Sequence, residues 1–138
     1  MHWIGRNLWE VCAAPGWRAR QDPECITMEK SEQGALQLSS ATKTGGLISQ
    51  EELRAIYEPR VVERGSSLCA YSAGQFRGFT SESRRDGDHW QEYWLAYGSL
   101  LLFVTYNGVP AAWRSEREEV NTMLSSLRVQ SSANEEPS

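Results

Sequence analysis

Trp90-Gln-Glu-Tyr-Trp-Leu-Ala-Tyr97 and Leu100-Leu-Leu-Phe-Val-Thr-Tyr106 are two runs rich in aromatic and β-branched residues, separated only by Gly98 and Ser99. Such residues favour a pleated backbone, and a two-residue joint containing glycine is the shortest link that lets a strand turn back on itself. The stretch therefore predicts a β-hairpin. Alternation places Trp90, Glu92, Trp94 and Ala96 on one face of its first strand and Gln91, Tyr93, Leu95 and Tyr97 on the other. Each face mixes large rings with polar residues, which leaves room for a partly open groove beside a core. After it, Trp113, Val120, Met123, Leu124 and Leu127 recur at helical spacing within a polar, charge-rich segment. Ser115 and Glu118 fit a capping box at the start of this closing helix, which is expected to end near Arg128.

Working back toward the amino terminus, Asp86-Gly87 supplies a turn, preceded by strands at residues 76–83 and 67–71. Ser49 and Glu52 form a second capping box, with Ile48 and Leu53 at the positions of a hydrophobic staple. That helix is expected to stop near Glu58, because Pro59 lacks a backbone N–H, and to dock Leu53, Ile56 and Tyr57 on the sheet. Residues 25–30 and 35–40 alternate with period two around a turn at 31–34. A first strand at 8–13 is stopped by Pro15-Gly16, residues 18–23 read as a polar loop, and His2 falls at an end expected to fray. Residues 130–138 contain only Ala133 as an apolar side chain and read as a disordered tail. The whole predicts one α+β domain over residues 1–129.

The chain has 138 residues, 40% hydrophobic and 23% charged, enough to bury a core without disulfides or metal. A formal charge of −4, two units of it from Glu135 and Glu136, gives no attraction for nucleic acid. No apolar run approaches the ~18 residues that a membrane span requires, and no basic leader or apolar signal core is visible. A cytoplasmic protein is the expectation. Cys12, Cys25 and Cys69 are odd in number and widely spaced, which fits free thiols better than a disulfide framework or a metal knuckle. Twelve Arg against two Lys is a bias that a GC-rich genome also produces.

Reactive groups do not assemble along the chain. His2 and His89 are the only imidazoles, no G-x-S-x-G elbow or phosphate-cradling loop is present, and no base can be assigned to a cysteine nucleophile. Asp86, Asp88, His89 and Glu92 are the nearest approach to a metal set, yet their number and spacing match no known ligand pattern. The chain is read as a non-enzyme with no cofactor and no metal. The aromatic strand and the charges beside it are left as the recognition candidates: Arg77, Arg84, Arg85, Asp88, Tyr93 and Trp94. Burial of most of these rings in the core is the competing expectation.

Pro15-Gly-Trp17, Ala35-Leu-Gln-Leu-Ser39, Ser49 to Glu52, Leu100 to Tyr106 and Ser125-Ser-Leu-Arg128 on the last helix follow one another in an order that resembles the PsbP-like superfamily. The resemblance spans roughly residues 7–129 as a pattern of elements. It implies a central, largely antiparallel sheet with helices on its faces, an α/β/α sandwich, and a domain that binds other proteins. Within that class the reading is a bacterial immunity-type protein that neutralises a toxin. A secretion-associated chaperone for an effector is the related alternative, and a small-ligand binder or unrecognised enzyme with an aromatic pocket is the rival. The partner is expected to be another protein, neither nucleic acid nor membrane, with a homodimer as a further possibility.

Overall fold

The computed structural model of the protein describes residues 2–6 and 8–130, apart from the side chains of His2 and Arg6. The disordered tail read from the sequence lies outside the described residues, except Gln130. In chain order the elements are β1 (His2–Arg6), β2 (Trp9–Ala13), β3 (Arg18–Gln21), β4 (Ile26–Glu29), β5 (Gly34–Thr42), α1 (Gln50–Glu63), β6 (Cys69–Ala73), β7 (Phe76–Arg85), β8 (Asp88–Tyr97), β9 (Leu100–Gly108), α2 (Pro110–Ser125) and β10 (Arg128–Val129). The aromatic hairpin, β8 with β9, lies inside a seven-stranded antiparallel sheet of order β3-β4-β5-β9-β8-β7-β6. Strands β1, β2 and β10 form a second antiparallel sheet of three.

Pairing register decides which side chains share a face. Tyr93 faces Val104, Leu95 faces Leu102, and Leu36 and Leu38 face Tyr106 and Val104. This side joins Trp9 and Val11 of β2 and Val120, Met123 and Leu124 of α2 in the main core, together with Leu127 beyond the helix. Each fully buried aliphatic side chain stabilises the fold by roughly 1.5–3 kcal/mol. The opposite side of the sheet carries Phe79 and Ala96 against Leu53 of α1, with Tyr57 and Leu101 packed around them. Helices thus cover both faces of one sheet. Trp113 is half-buried at the edge of the main core, where its ring stacks on His89 at 4.7 Å.

Several local expectations are corrected. The chain start is a strand, not a fray, because β1 pairs with β2 along its length from His2 opposite Ala13 to Arg6 opposite Trp9. Residues 18–21 are a strand on the outside of the large sheet, paired among the described residues only with β4, and all four are exposed, so no apolar alternation announces them. Helix α1 runs through Pro59 to Glu63. The hydrogen bond that proline removes belongs to the carbonyl of Ala55; both residues are exposed, so water can take that carbonyl, while Val61 is fully buried beyond it. Ile56 is 43% exposed instead of docked.

Helix α2 begins at Pro110, five residues before Ser115, with proline in the first turn and Val109 as a cap lacking a side-chain bond. Ser115 is therefore inside the helix, where its hydroxyl donates to the Ala112 carbonyl at 3.1 Å. The helix stops at Ser125, and Arg128 and Val129 pair with Glu10 and Trp9 as β10.

Candidate functional site

Helix α1 is held at both ends by bonds that direct it along β8. At its start the Ser49 hydroxyl accepts the Glu52 N–H at 3.0 Å and the Glu52 carboxylate accepts the Ser49 N–H at 3.4 Å, a complete capping box. Lys43 donates to the same carboxylate at 2.8 Å, and that hydrogen bond holds Glu52 below the usual carboxylate range. The Ile48 N–H donates to the Gly98 carbonyl at 2.8 Å, tying the helix start to the β8–β9 turn. At the other end Arg64 reaches Glu92 of β8. The intervening turns lay Tyr57 on Trp94, centroids 4.9 Å apart and planes 19° from parallel.

Beside this contact lies a groove of about 430 Å³, lined by Tyr57, Arg60, Glu63, Arg64, Glu92, Trp94 and Phe103. Phe103 is opposite Trp94 on β9, with ring centroids 6.0 Å apart, and is 37% exposed. Arg60 lies over the Tyr57 ring at 5.5 Å. Glu92 is 8% exposed, and one of its oxygens, Oε1, accepts from Arg64 at 2.9 Å and from Arg85 at 3.2 Å. Arg85 also lies 4.6 Å from the centre of the Trp90 ring. Two guanidiniums on one carboxylate leave a net positive charge, and each guanidinium has five N–H donors, most of them unused here. The lining sets Arg60 and Arg64 against Glu63 and Glu92, and Arg85 bonded to Glu92 tips the balance to positive, so the π-faced floor suits an apolar or aromatic side chain flanked by a carboxylate.

The sequence candidates do not form one cluster. Arg85 and Trp94 do come together, through Glu92 and the groove floor. Arg77 is on the same face but at the far end of β7, opposite Ala96, where its carbonyl accepts from Gln50. Arg84 points to the other face, beside Glu82, Ser83 and His89 around a hollow of about 280 Å³. Asp88 begins β8 and borders a separate depression with Glu29 and Glu32. Tyr93 is 1% exposed in the main core, edge-on to Tyr71, and burial raises its hydroxyl pKa; as a surface anchor it is replaced by Phe103. Trp94 is itself only 4% exposed, so it backs the groove more than it presents to a partner. The metal-like set divides as well, since His89 faces Trp113 and α2 whereas Glu92 faces α1.

Arg60, Arg64, Tyr57 and Phe103 were not among the candidates, and Glu92 was considered only as part of the metal-like set. Ending the helix at Glu58 hid the spacing of Tyr57, Arg60 and Arg64, which lies along one side of a continuous helix. A larger hollow of about 570 Å³, near Ser66, Thr80 and Gln91, has neither an aromatic nor a cationic side chain in its lining. No helix of the described residues is long and apolar enough to cross a membrane.

No family model matches the chain, and no curated protein matches it. Among solved structures it is similar to a protein of Bacteroides thetaiotaomicron VPI-5482, at a TM-score of 0.66 and 9% identity. That superposition covers 89% of this chain and 45% of the other, so this chain spans about half the length of that structure. It is also similar to the cyanobacterial PsbP of Synechocystis sp. PCC 6803, at a TM-score of 0.41 and 13% identity, over 88% of this chain and 86% of that one. At 9% identity the likeness to the first of these is one of fold alone.

Proposed function

We propose that this is a non-enzymatic protein-binding domain whose recognition face is the groove between α1 and the β8–β9 hairpin. The observation that carries the reading is Phe103, a large ring left 37% exposed beside the Arg60 and Arg64 side of α1. Aromatic and arginine side chains together are common anchors of protein interfaces. The groove is open to solvent, which favours a segment of another protein over an enclosed small ligand. Its chemistry selects a segment with an apolar side chain for Phe103 and a neighbouring carboxylate for Arg60 and Arg64. The chain's overall charge of −4 would meanwhile steer a partner that is basic elsewhere on its surface.

An immunity-type protein that occludes a toxin is the version we favour. A secretion-associated chaperone that holds an apolar stretch of an effector would use the same groove. Photocrosslinking from position 103, compared with capture by Phe103→Asp, Arg64→Glu and the remote control Arg18→Glu, tests the proposal. Expected is one partner crosslinked at position 103 and lost with the first two variants, each shown to be folded by circular dichroism. A partner captured equally by folded Phe103→Asp and Arg64→Glu places recognition elsewhere.

A further inference from the structure

The two outer strands of the large sheet are guarded differently. Strand β3 presents Arg18 and Arg20, both exposed, so a second chain pairing there would bring guanidiniums into contact. Strand β6 closes the other end and, among the described residues, pairs only with β7. Its sequence, Cys69-Ala-Tyr-Ser-Ala73, holds no charge and no proline, and Cys69, Ala70 and Ser72 are exposed. The two-residue turn at Gly74 and Gln75 sets Ala73 opposite Phe76. Such a turn closes on a hydrogen-bonded pair, and pairs alternate along an antiparallel ladder. Ala73, Tyr71 and Cys69 therefore bond to β7, which leaves the N–H and C=O groups of Ala70 and Ser72 directed outward.

We propose that β6 pairs antiparallel with β6 of a second copy of this chain, about a twofold axis at Tyr71. The strand is nearly symmetric in side-chain size about that residue: small, small, large, small, small. Self-pairing thus sets Ala70 against Ser72 of the second copy as a doubly hydrogen-bonded pair and Cys69 against Ala73. Only Tyr71 meets a large side chain, its own counterpart, at a non-hydrogen-bonded position where Cα atoms approach to about 4.5 Å and aromatic pairs are favourable. Tyr71 is already oriented, with its hydroxyl donating to Asn121 at 2.8 Å and its ring edge-on to Tyr93 at 5.0 Å. The contact is isologous and joins two seven-stranded sheets into one. The arginines on β3 stop it from propagating into a filament.

Light scattering over a wide concentration range tests the proposal, with an expected mass rising to twice 15.6 kDa. Ser72→Lys and Ala70→Lys, each shown to be folded, should stay monomeric. A spin label on exposed Cys69 of β6, in a Cys25→Ser background, reads the register without a lysine variant. Four residues of offset at about 3.4 Å each place the two labelled Cα atoms about 14 Å apart. A monomer at every concentration overturns the proposal, as does a dimer that persists in a folded lysine variant or whose labels lie far beyond that distance.

Discussion

The bridge Arg64–Glu92–Arg85 makes a quantitative prediction about redundancy. Replacing Arg64 with Ala leaves Glu92 its 3.2 Å bond from Arg85, and replacing Arg85 leaves the 2.9 Å bond from Arg64. The arginine side chains are 40% and 36% exposed, so solvent screens each pair, and either single variant should cost about 0.5–1 kcal/mol. The double variant is different in kind. It leaves a carboxylate that is 8% exposed with neither guanidinium, and a buried charge stripped of its partners is costly. Discounted for its nearness to solvent, the double variant should cost about 3–4 kcal/mol, which exceeds the sum of the singles by about 1–3 kcal/mol. Urea denaturation of the wild type, both singles and the double completes the cycle. Additivity within about 0.3–0.5 kcal/mol would refute the view that both arginines serve one buried carboxylate.

Leu124→Ala removes a side chain with no exposed surface and should cost about 2–5 kcal/mol; an unchanged denaturation midpoint would contradict its place in the core. Ser49→Ala removes the acceptor for the Glu52 N–H and should cost about 0.5–2 kcal/mol, read as a lower thermal midpoint, with partner capture retained. Burial pushes the Tyr71 hydroxyl up to about 12 and raises those of Tyr93 and Tyr106, so the folded state keeps protons that an unfolded chain loses near pH 10. Stability should be complete below about pH 10 and decline as pH rises from there through about 12. Tyrosinate absorbance from these three rings should follow loss of structure by circular dichroism, and ionisation of all three in a folded protein would contradict the assigned burial.

The central architecture was legible because its signals are local. The aromatic hairpin, the Ser49 capping box, and the Leu36 and Leu38 alternation each depend on neighbours a few residues away, and all three are found. Elements whose reason is long-range were missed. Exposed β3 owes its conformation to pairing with β4, and β10 owes its conformation to β2, over a hundred residues earlier in the chain. Pro59 misdirected the reading because its cost depends on whether the freed carbonyl reaches water, a fact about burial that spacing does not carry. The groove suffered most from that error, since Arg60 and Arg64 follow the proline. Trp94 and Arg85 do lie beside one groove, but alternation alone could not tell that Tyr93 faces the main core while Phe103 is partly exposed.

Hydrogen exchange of the isolated complex tests the account most directly, once a crosslinked partner is in hand. Binding through the groove predicts added amide protection concentrated in residues 57–63 of α1, its C-cap Arg64 and residues 101–105 of β9, with β3 and α2 unchanged. Protection concentrated on α2 or the three-stranded sheet, with the groove exchanging as in the free protein, would contradict it.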